Sequence, residues 1–312
     1  MQIGAWVGNN GVATPEHMLA VARASEDHGL ASIWAADHVV WPVEYDSKYP
    51  YGGDKYPADF HQPVCEVTTT MAWLSAHTRR VKVGSLVLVV PQRNPWVLGK
   101  QLATIDVLNG GRTVLGAGMG WLREEFDVLG APFDDRLARG REAIELLRKM
   151  WTRHPLRFEG RFWKAPPVGV LPHPVQQPIP VWLGGNAPGA RRRAGSFADG
   201  WLPFGLSPAQ LREGWDEVRG AAEAAGRDPA ALTCSLWMPI ALTRPGDPPL
   251  PPEIFLQGSA GELVEKLALY AQAGLEHFLM YNVAAPQAVA EQIARIGDEV
   301  LPGVADLRPA KG

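Results

Sequence analysis

The chain has 312 residues, 46% of them hydrophobic and 20% charged, with a formal net charge of −3. That is the make-up of a globular protein with a large core, and a length that suits one β/α barrel with insertions, typically about 250 residues. The mild acidity argues against a nucleic-acid or anionic-membrane surface, no apolar run approaches the ~18 residues of a membrane span, and the start Met1-Gln2-Ile3-Gly4-Ala5-Trp6 lacks the basic and long apolar regions of a signal peptide.

Strands and helices alternate along the chain. Ile3 to Val7 reads as a strand, and Thr14-Pro15-Glu16 opens a helix with an N-cap hydroxyl, a first-turn proline and an acid near the dipole, closed by Gly29. Ser32 to Ala36 is a second strand, Gln62 to His77 a helix, and Val81 to Val89 an apolar, β-branched run of the buried parallel kind. Asn94-Pro95 starts a helix with Leu98, Leu102, Ile105 and Leu108 on one face, and Thr113 to Ala117 is the fourth strand. A helix from Asp134-Asp135 to Trp151 follows, then a fifth strand at Ile179 to Leu183, a helix through Ser196, and a sixth strand at Gly200 to Pro203. Ser207-Pro208 opens a helix with Leu211, Trp215, Val218 and Ala222 at helical spacing, and Leu232 to Leu242 contains the seventh strand. Ser259 and Glu262 form a capping box, Leu263, Leu267 and Tyr270 line that helix's inner face, His277 to Tyr281 is the eighth strand, and a last helix runs from Pro286 to Val300.

Eight strands with intervening helices predict a single α/β domain over 1–312, a (β/α)8 barrel; an open doubly wound sheet has the same alternation. Three segments break the repeat: Val39 to Gln62, His154 to Pro178 with a hairpin-like Leu156 to Trp163, and Pro239 to Gly258. Long strand-to-helix loops belong to a barrel's active face, although each could equally be a structural or dimer-contact excursion.

Candidate chemistry lies where strands end. Asp37 and His38 follow the second strand; such a pair meets a ligand or orders its own loop, because burial unpaired costs several kcal/mol. The fourth strand runs into Gly116-Ala117-Gly118-Met119-Gly120-Trp121, whose glycines let backbone approach a flat ring or phosphate, though the spacing is not the dinucleotide fingerprint. Gly184-Gly185-Asn186 before a helix makes a plausible phosphate nest, and of the following Arg191, Arg192 and Arg193 at least two read as a solvated face. Twelve tryptophans are more than a core needs, and indole binds flat apolar ligands well; Trp6, Trp41 and Trp121 are candidate pocket walls, with core packing the alternative. Cys65 and Cys234 lie in apolar surroundings and read as buried, reduced thiols of a cytoplasmic protein. His17, His28, His77 and His154 read as exposed and His277 as structural. No His, Cys or Asp cluster has zinc spacing, so no metal is expected.

The chain resembles the bacterial luciferase-like monooxygenase superfamily, in its coenzyme F-420-dependent branch. The resemblance covers nearly the whole chain. It rests on Ser32-Ile33-Trp34-Ala35-Ala36-Asp37-His38, on Val83 to Pro95, on Ala103 to Arg112, on Gly116 to Phe126, and on Val181 to Asn186 with Ala198-Asp199-Gly200-Trp201. It implies a barrel that binds F-420, or alternatively FMN, at its C-terminal mouth, with Asp37 and His38 beside the ring as the catalytic candidates. It also implies a bulge, often a non-proline cis peptide, supporting the ring at Leu86-Val87, with Gly118, Gly120 and Trp121 along the cofactor and Gly184, Gly185 and Asn186 near its phosphate. Trp6 is expected at the cofactor, and Trp41 and Trp121 at the substrate. Members acting on sugar phosphates carry a glutamate where Trp121 stands, which argues against that class and leaves His38, usable as acid or base near neutrality, as the proton-transfer candidate.

The resemblance therefore implies hydride transfer between F-420 and a small, flat or apolar organic substrate. The alternatives are an FMN-dependent monooxygenase fed by a partner flavin reductase and O₂, and a flavin-binding protein without turnover. A homodimer is expected, because the superfamily commonly forms them.

Overall fold

A computed structural model describes residues 1–52, 54–56, 60–247, 256–282 and 284–308. The strands are β1 (Gln2–Trp6), β2 (Ser32–Ala35), β3 (Lys82–Ser85), β4 (Leu88–Val89), β5 (Thr113–Gly118), β6 (Leu156–Glu159), β7 (Lys164–Val168), β8 (Val181–Gly184), β9 (Gly200–Leu202), β10 (Thr233–Leu242), β11 (Leu256–Gly258) and β12 (His277–Asn282). The helices are α1 (Pro15–Asp27), α2 (Val67–His77), α3 (Pro95–Asn109), α4 (Arg123–Val128), α5 (Arg136–Thr152), α6 (Pro188–Phe197), α7 (Pro208–Ala224), α8 (Ala260–Gln272), α9 (Val289–Arg295) and α10 (Leu301–Val304).

The sheet closes. β12 pairs in parallel with both β10 and β1, and the order β1-β2-β3-β5-β8-β9-β10-β12 returns to its start through parallel pairs. This is an eight-stranded (β/α)8 barrel; β4 continues the third barrel strand against β5, β11 extends β10, and β6 and β7 form a separate antiparallel hairpin in the 154–178 excursion.

Alternation along the strands creates two cores. Ile3, Ala5, Val7, Ile33, Val83, Leu115 and their neighbours face outward against the helices. Trp34, Leu86, Val114, Trp182, Leu202 and Leu279 fill the lumen, with Trp6, Val87 and Trp237 packed on them. At the lumen's base Trp34 and Trp182 stack at 5.3 Å, and His277 lies edge-on to both. His277 Nε2 is 2.7 Å from the Ser32 hydroxyl, which also accepts from the Trp34 indole; burial drives the His277 pKa down to about 3, so the ring is a neutral structural member. Gly84 makes room for this layer, since a Cβ there would meet Trp34 at 2.4 Å.

Three elements differ from expectation. The third strand breaks at Leu86-Val87, where the peptide is cis, so the run from Val81 to Val89 is two strands rather than one. The helix read from Gln62 begins at Val67, because Glu66 caps it by accepting from Thr69 N–H. Leu108 is 74% exposed although Leu98, Leu102 and Ile105 of the same helix are buried. Cys234 is buried and Cys65 only half-buried, both free; His17 and His28 are likewise half-buried. The excursion at Pro239 to Gly258 falls partly outside the described residues.

Candidate active site

A cavity of about 540 Å³ opens at the C-terminal mouth of the barrel. Its floor is Leu86, Val87, Leu202 and Trp237, one wall is Gly118 to Leu122, another is Gly184 to Ala187, and Tyr49, Tyr51 and Tyr56 of the long second loop lie over it. The mouth collects these residues because every strand of a parallel barrel delivers its following loop to the same end.

His38 and Glu125 meet in this cavity. The imidazole Nδ1 is 3.1 Å from Glu125 Oε2, and the other carboxylate oxygen accepts the Val39 N–H at 2.8 Å. Glu125 is almost fully buried, at 1% exposure. Burial opposes its charge, but the His38 ring and the Val39 N–H outweigh burial and hold its carboxyl below the usual range. An Nδ1–H donated to a buried carboxylate leaves Nε2 for a ligand. Trp41 packs edge-on to the imidazole at 4.1 Å and Trp121 at 6.4 Å.

Asp37 also borders the cavity, but its oxygens are engaged. Arg93 donates to both, each at 2.7 Å, and Val89 N–H donates at 2.8 Å. Burial pushes the Asp37 carboxyl above its ordinary value, with the guanidinium opposing that push. The geometry is that of a brace: a bidentate arginine pair tying the end of β2 to the strand break.

The far end of the cavity is cationic. Gly184 to Ala187 leads into α6, which starts at Pro188 with no side-chain cap; Pro188 has no N–H, and those of Ala190 and Arg191 are bonded to the Ala187 carbonyl, so the charge at this end comes from side chains. Arg136 and Arg193 line the same end, neither ion-paired with a carboxylate among the described residues, and Arg193 Nε is buried without a partner. Burial and mutual repulsion lower the pKa of Arg193; an anion there would relieve both costs. Arg191 is tied to Glu217 and Arg192 is exposed, so two of the three arginines stay outside the cavity. The Asn186 side chain is occupied by both backbone groups of Phe204, which pins the β9 loop beside the nest.

The predicted residues are thus distributed unequally. Asp37, His38, Leu86, Val87, Gly118, Gly120, Trp121, Gly184, Gly185 and Asn186 all border the cavity. Trp6 lies in the lumen layer against Tyr281, and Trp41 stands behind His38 on the wall of a separate cavity.

A family model described as Luciferase-like monooxygenase matches residues 1–247. The chain belongs to this family. An uncharacterised Mycobacterium tuberculosis protein is 36% identical over 211 residues, 67% of this chain and 72% of that one. The F-420-dependent glucose-6-phosphate dehydrogenase of Amycolatopsis mediterranei is 32% identical over 196 residues, 60% of this chain and 53% of that enzyme. In fold, this luciferase-like chain is similar to an F-420-dependent secondary alcohol dehydrogenase solved with an F-420–acetone adduct (TM-score 0.79, 18% identity, 98% and 99% of the two chains). It is also similar to the FMN-bound oxygenating constituent of 3,6-diketocamphane monooxygenase from Pseudomonas putida (TM-score 0.77, 16% identity, 99% of both chains).

Within this luciferase-like site, sequence reasoning missed Glu125, Arg93, Arg136 and the three tyrosines, and left open which of Arg191, Arg192 and Arg193 would face the cavity. Glu125 had one signal: two acids directly before a buried Phe126, just after a glycine loop. The others carried no such signal, and only the fold brings them to the site.

Proposed function

We propose that this luciferase-like protein is an oxidoreductase that uses a deazaflavin, coenzyme F-420, to exchange hydride with a small, uncharged organic substrate. The observation that supports it most is one cavity with a buried His–Glu pair at one end and two arginines lacking carboxylate partners at the other. That polarity suits a molecule with a flat ring and an anionic tail. The cavity's volume lies within the 300–1,000 Å³ of ligand sites.

Leu86 and Val87 would support the ring, Gly118 and Gly120 would let it lie close to backbone, and Gly184, Gly185, Arg136 and Arg193 would hold the phosphoryl end. When bound, the cofactor supplies the hydride chemistry. The chain supplies the rest. His38 would hold or release a proton at Nε2, with Glu125 fixing the ring's orientation and balancing imidazolium charge. Tyr49, Tyr51, Tyr56 and Trp121 would exclude water. Trp121 and its aromatic neighbours favour an uncharged substrate over a sugar phosphate.

Relatives named as F-420-dependent at 32% and 28% identity favour the deazaflavin. The FMN-bound structural neighbour supports the second reading, a monooxygenase working with a flavin reductase. Titration with each cofactor, followed by quenching of tryptophan fluorescence, separates them. Selective F-420 binding is expected; selective FMN binding would favour the monooxygenase, and binding of neither at high micromolar concentration would sink both readings.

A further inference from the structure

We infer that the second loop carries a chamber of its own, outside the mouth cavity, which takes an uncharged apolar or aromatic arm of the substrate. This rests on the cofactor reading above for what occupies the inner cavity. The outer chamber measures about 510 Å³ and is walled by Trp41, Tyr45, Tyr56 and Phe60 with Pro42 and Val43.

Three observations carry the inference. The first is volume. The inner cavity has the capacity of a single-ligand site, yet an oxidoreductase of this kind must seat a cofactor and a substrate together. A substrate larger than a few heavy atoms needs further space, and the outer chamber is about as large again.

The second is adjacency. The two spaces share a wall. Tyr56 borders both, its ring 5.8 Å from His38, 5.1 Å from Trp41 and 6.4 Å from Trp121. Trp41 faces the outer chamber while its ring packs on His38. An arm seated outside therefore lies against the far side of the same Trp41 and Tyr56 rings that pack on His38.

The third is chemistry. Val43 and Phe60 are 66% and 45% exposed, an apolar surface left open to solvent at the chamber's edge. Among the described residues the charged groups at the rim are Glu44, Asp46 and Lys55, and Lys55 is engaged with Tyr45, over its ring and at its carbonyl. Two carboxylates with one occupied ammonium reject an anionic arm and leave aromatic and aliphatic surface to bind a neutral one.

The test uses the full chain and N-phenyl-1-naphthylamine, an uncharged probe whose fluorescence rises in apolar sites. Binding is measured with the protein alone and with saturating F-420 or FMN. The expected result is one probe site that persists with cofactor bound and weakens at least tenfold in the Val43→Asp/Phe60→Ser variant, whose altered side chains are exposed enough to leave the fold intact. Straight-chain 2-alkanones should displace the probe about fourfold better per added methylene, and alkanoates of equal length should displace it far less well. Probe binding that cofactor abolishes, that the double variant leaves unchanged, or that alkanoates match would overturn the chamber. Failure of both cofactors to quench tryptophan fluorescence would instead strike the cofactor reading, since probe binding to the protein alone is read independently.

Discussion

Glu125 holds two segments at once. Its carboxylate fixes the His38 ring and accepts from the backbone of Val39 and Val40, where the long second loop departs. Glu125→Gln keeps the shape and removes the charge, and hydrogen bonds to charged groups contribute about 1.5–3 kcal/mol. Turnover should fall roughly tenfold to a hundredfold, while cofactor affinity, measured by fluorescence titration, stays within about twofold because the anionic end is untouched. The stability effect should depend on pH. The Glu125 carboxyl is held below its ordinary value near 4.5, so its contribution is complete above that value and is lost as pH falls through the lower, folded-state value. Urea unfolding should therefore show the largest gap between the native protein and Glu125→Gln near neutrality, and a shrinking gap in acid. Asp37→Ala belongs to a different case. It takes from Arg93, only 13% exposed, its bidentate partner and leaves it the half-exposed Glu66 at 3.5 Å, so the loss should fall somewhat below the ~3–5 kcal/mol of breaking an isolated buried pair. An unchanged urea midpoint in Asp37→Ala would remove the brace from this account.

At the scale of elements, the site depends on two junctions. One is the contact of β3 with β5. A Cβ on Gly116 would sit 1.9 Å from the Ser85 carbonyl oxygen, which is backbone and cannot swing aside. Gly116→Ala should thus force the strands apart just below the Leu86-Val87 ledge, with a loss beyond the 1–3 kcal/mol of ordinary overpacking, read as a lowered melting temperature or as insoluble protein. The other junction is α4, whose paired acids hold the second loop. While Glu125 fixes residues 39 and 40, Glu124 accepts from Asp46 N–H at 2.7 Å and Ser47 N–H at 3.1 Å. Burial pushes the Glu124 carboxyl up, but Ser47 and these N–H groups bring it down to about 2, so it stays charged at any working pH. Glu124→Ala should leave global stability nearly unchanged and make the loop a faster target for limited proteolysis. Equal cleavage rates would show that the aromatic contacts alone keep the loop in place.

For the whole molecule, closure decides everything above the strands. The family match ends at residue 247, but β12 at residues 277–282 is the strand that joins β10 to β1. A chain ending at Gly258 keeps every residue named at the mouth cavity, yet it should lose cooperative unfolding and cofactor binding, because both edges of an opened barrel are left unpaired. Retained cofactor binding in that truncation would mean that the site needs only the matched segment.

How much of this was legible in the chain follows from the range of each interaction. Strand and helix positions, the capping residues Thr14, Asn94, Ser207 and Ser259, and the glycine loops at the strand ends are local, because apolar period and cap chemistry act within a few residues. The eight alternating units made the barrel readable, and the motifs around Asp37-His38 and Gly118 marked its mouth. What the sequence could not assign was partnership. Asp37 and His38 are neighbours, yet Asp37 turns to Arg93, 56 residues on, and His38 to Glu125, 87 residues on. Side chains on successive residues leave an extended strand end in opposite directions, so adjacency in the chain separates the pair, and only closure of the barrel supplies each with its counterpart.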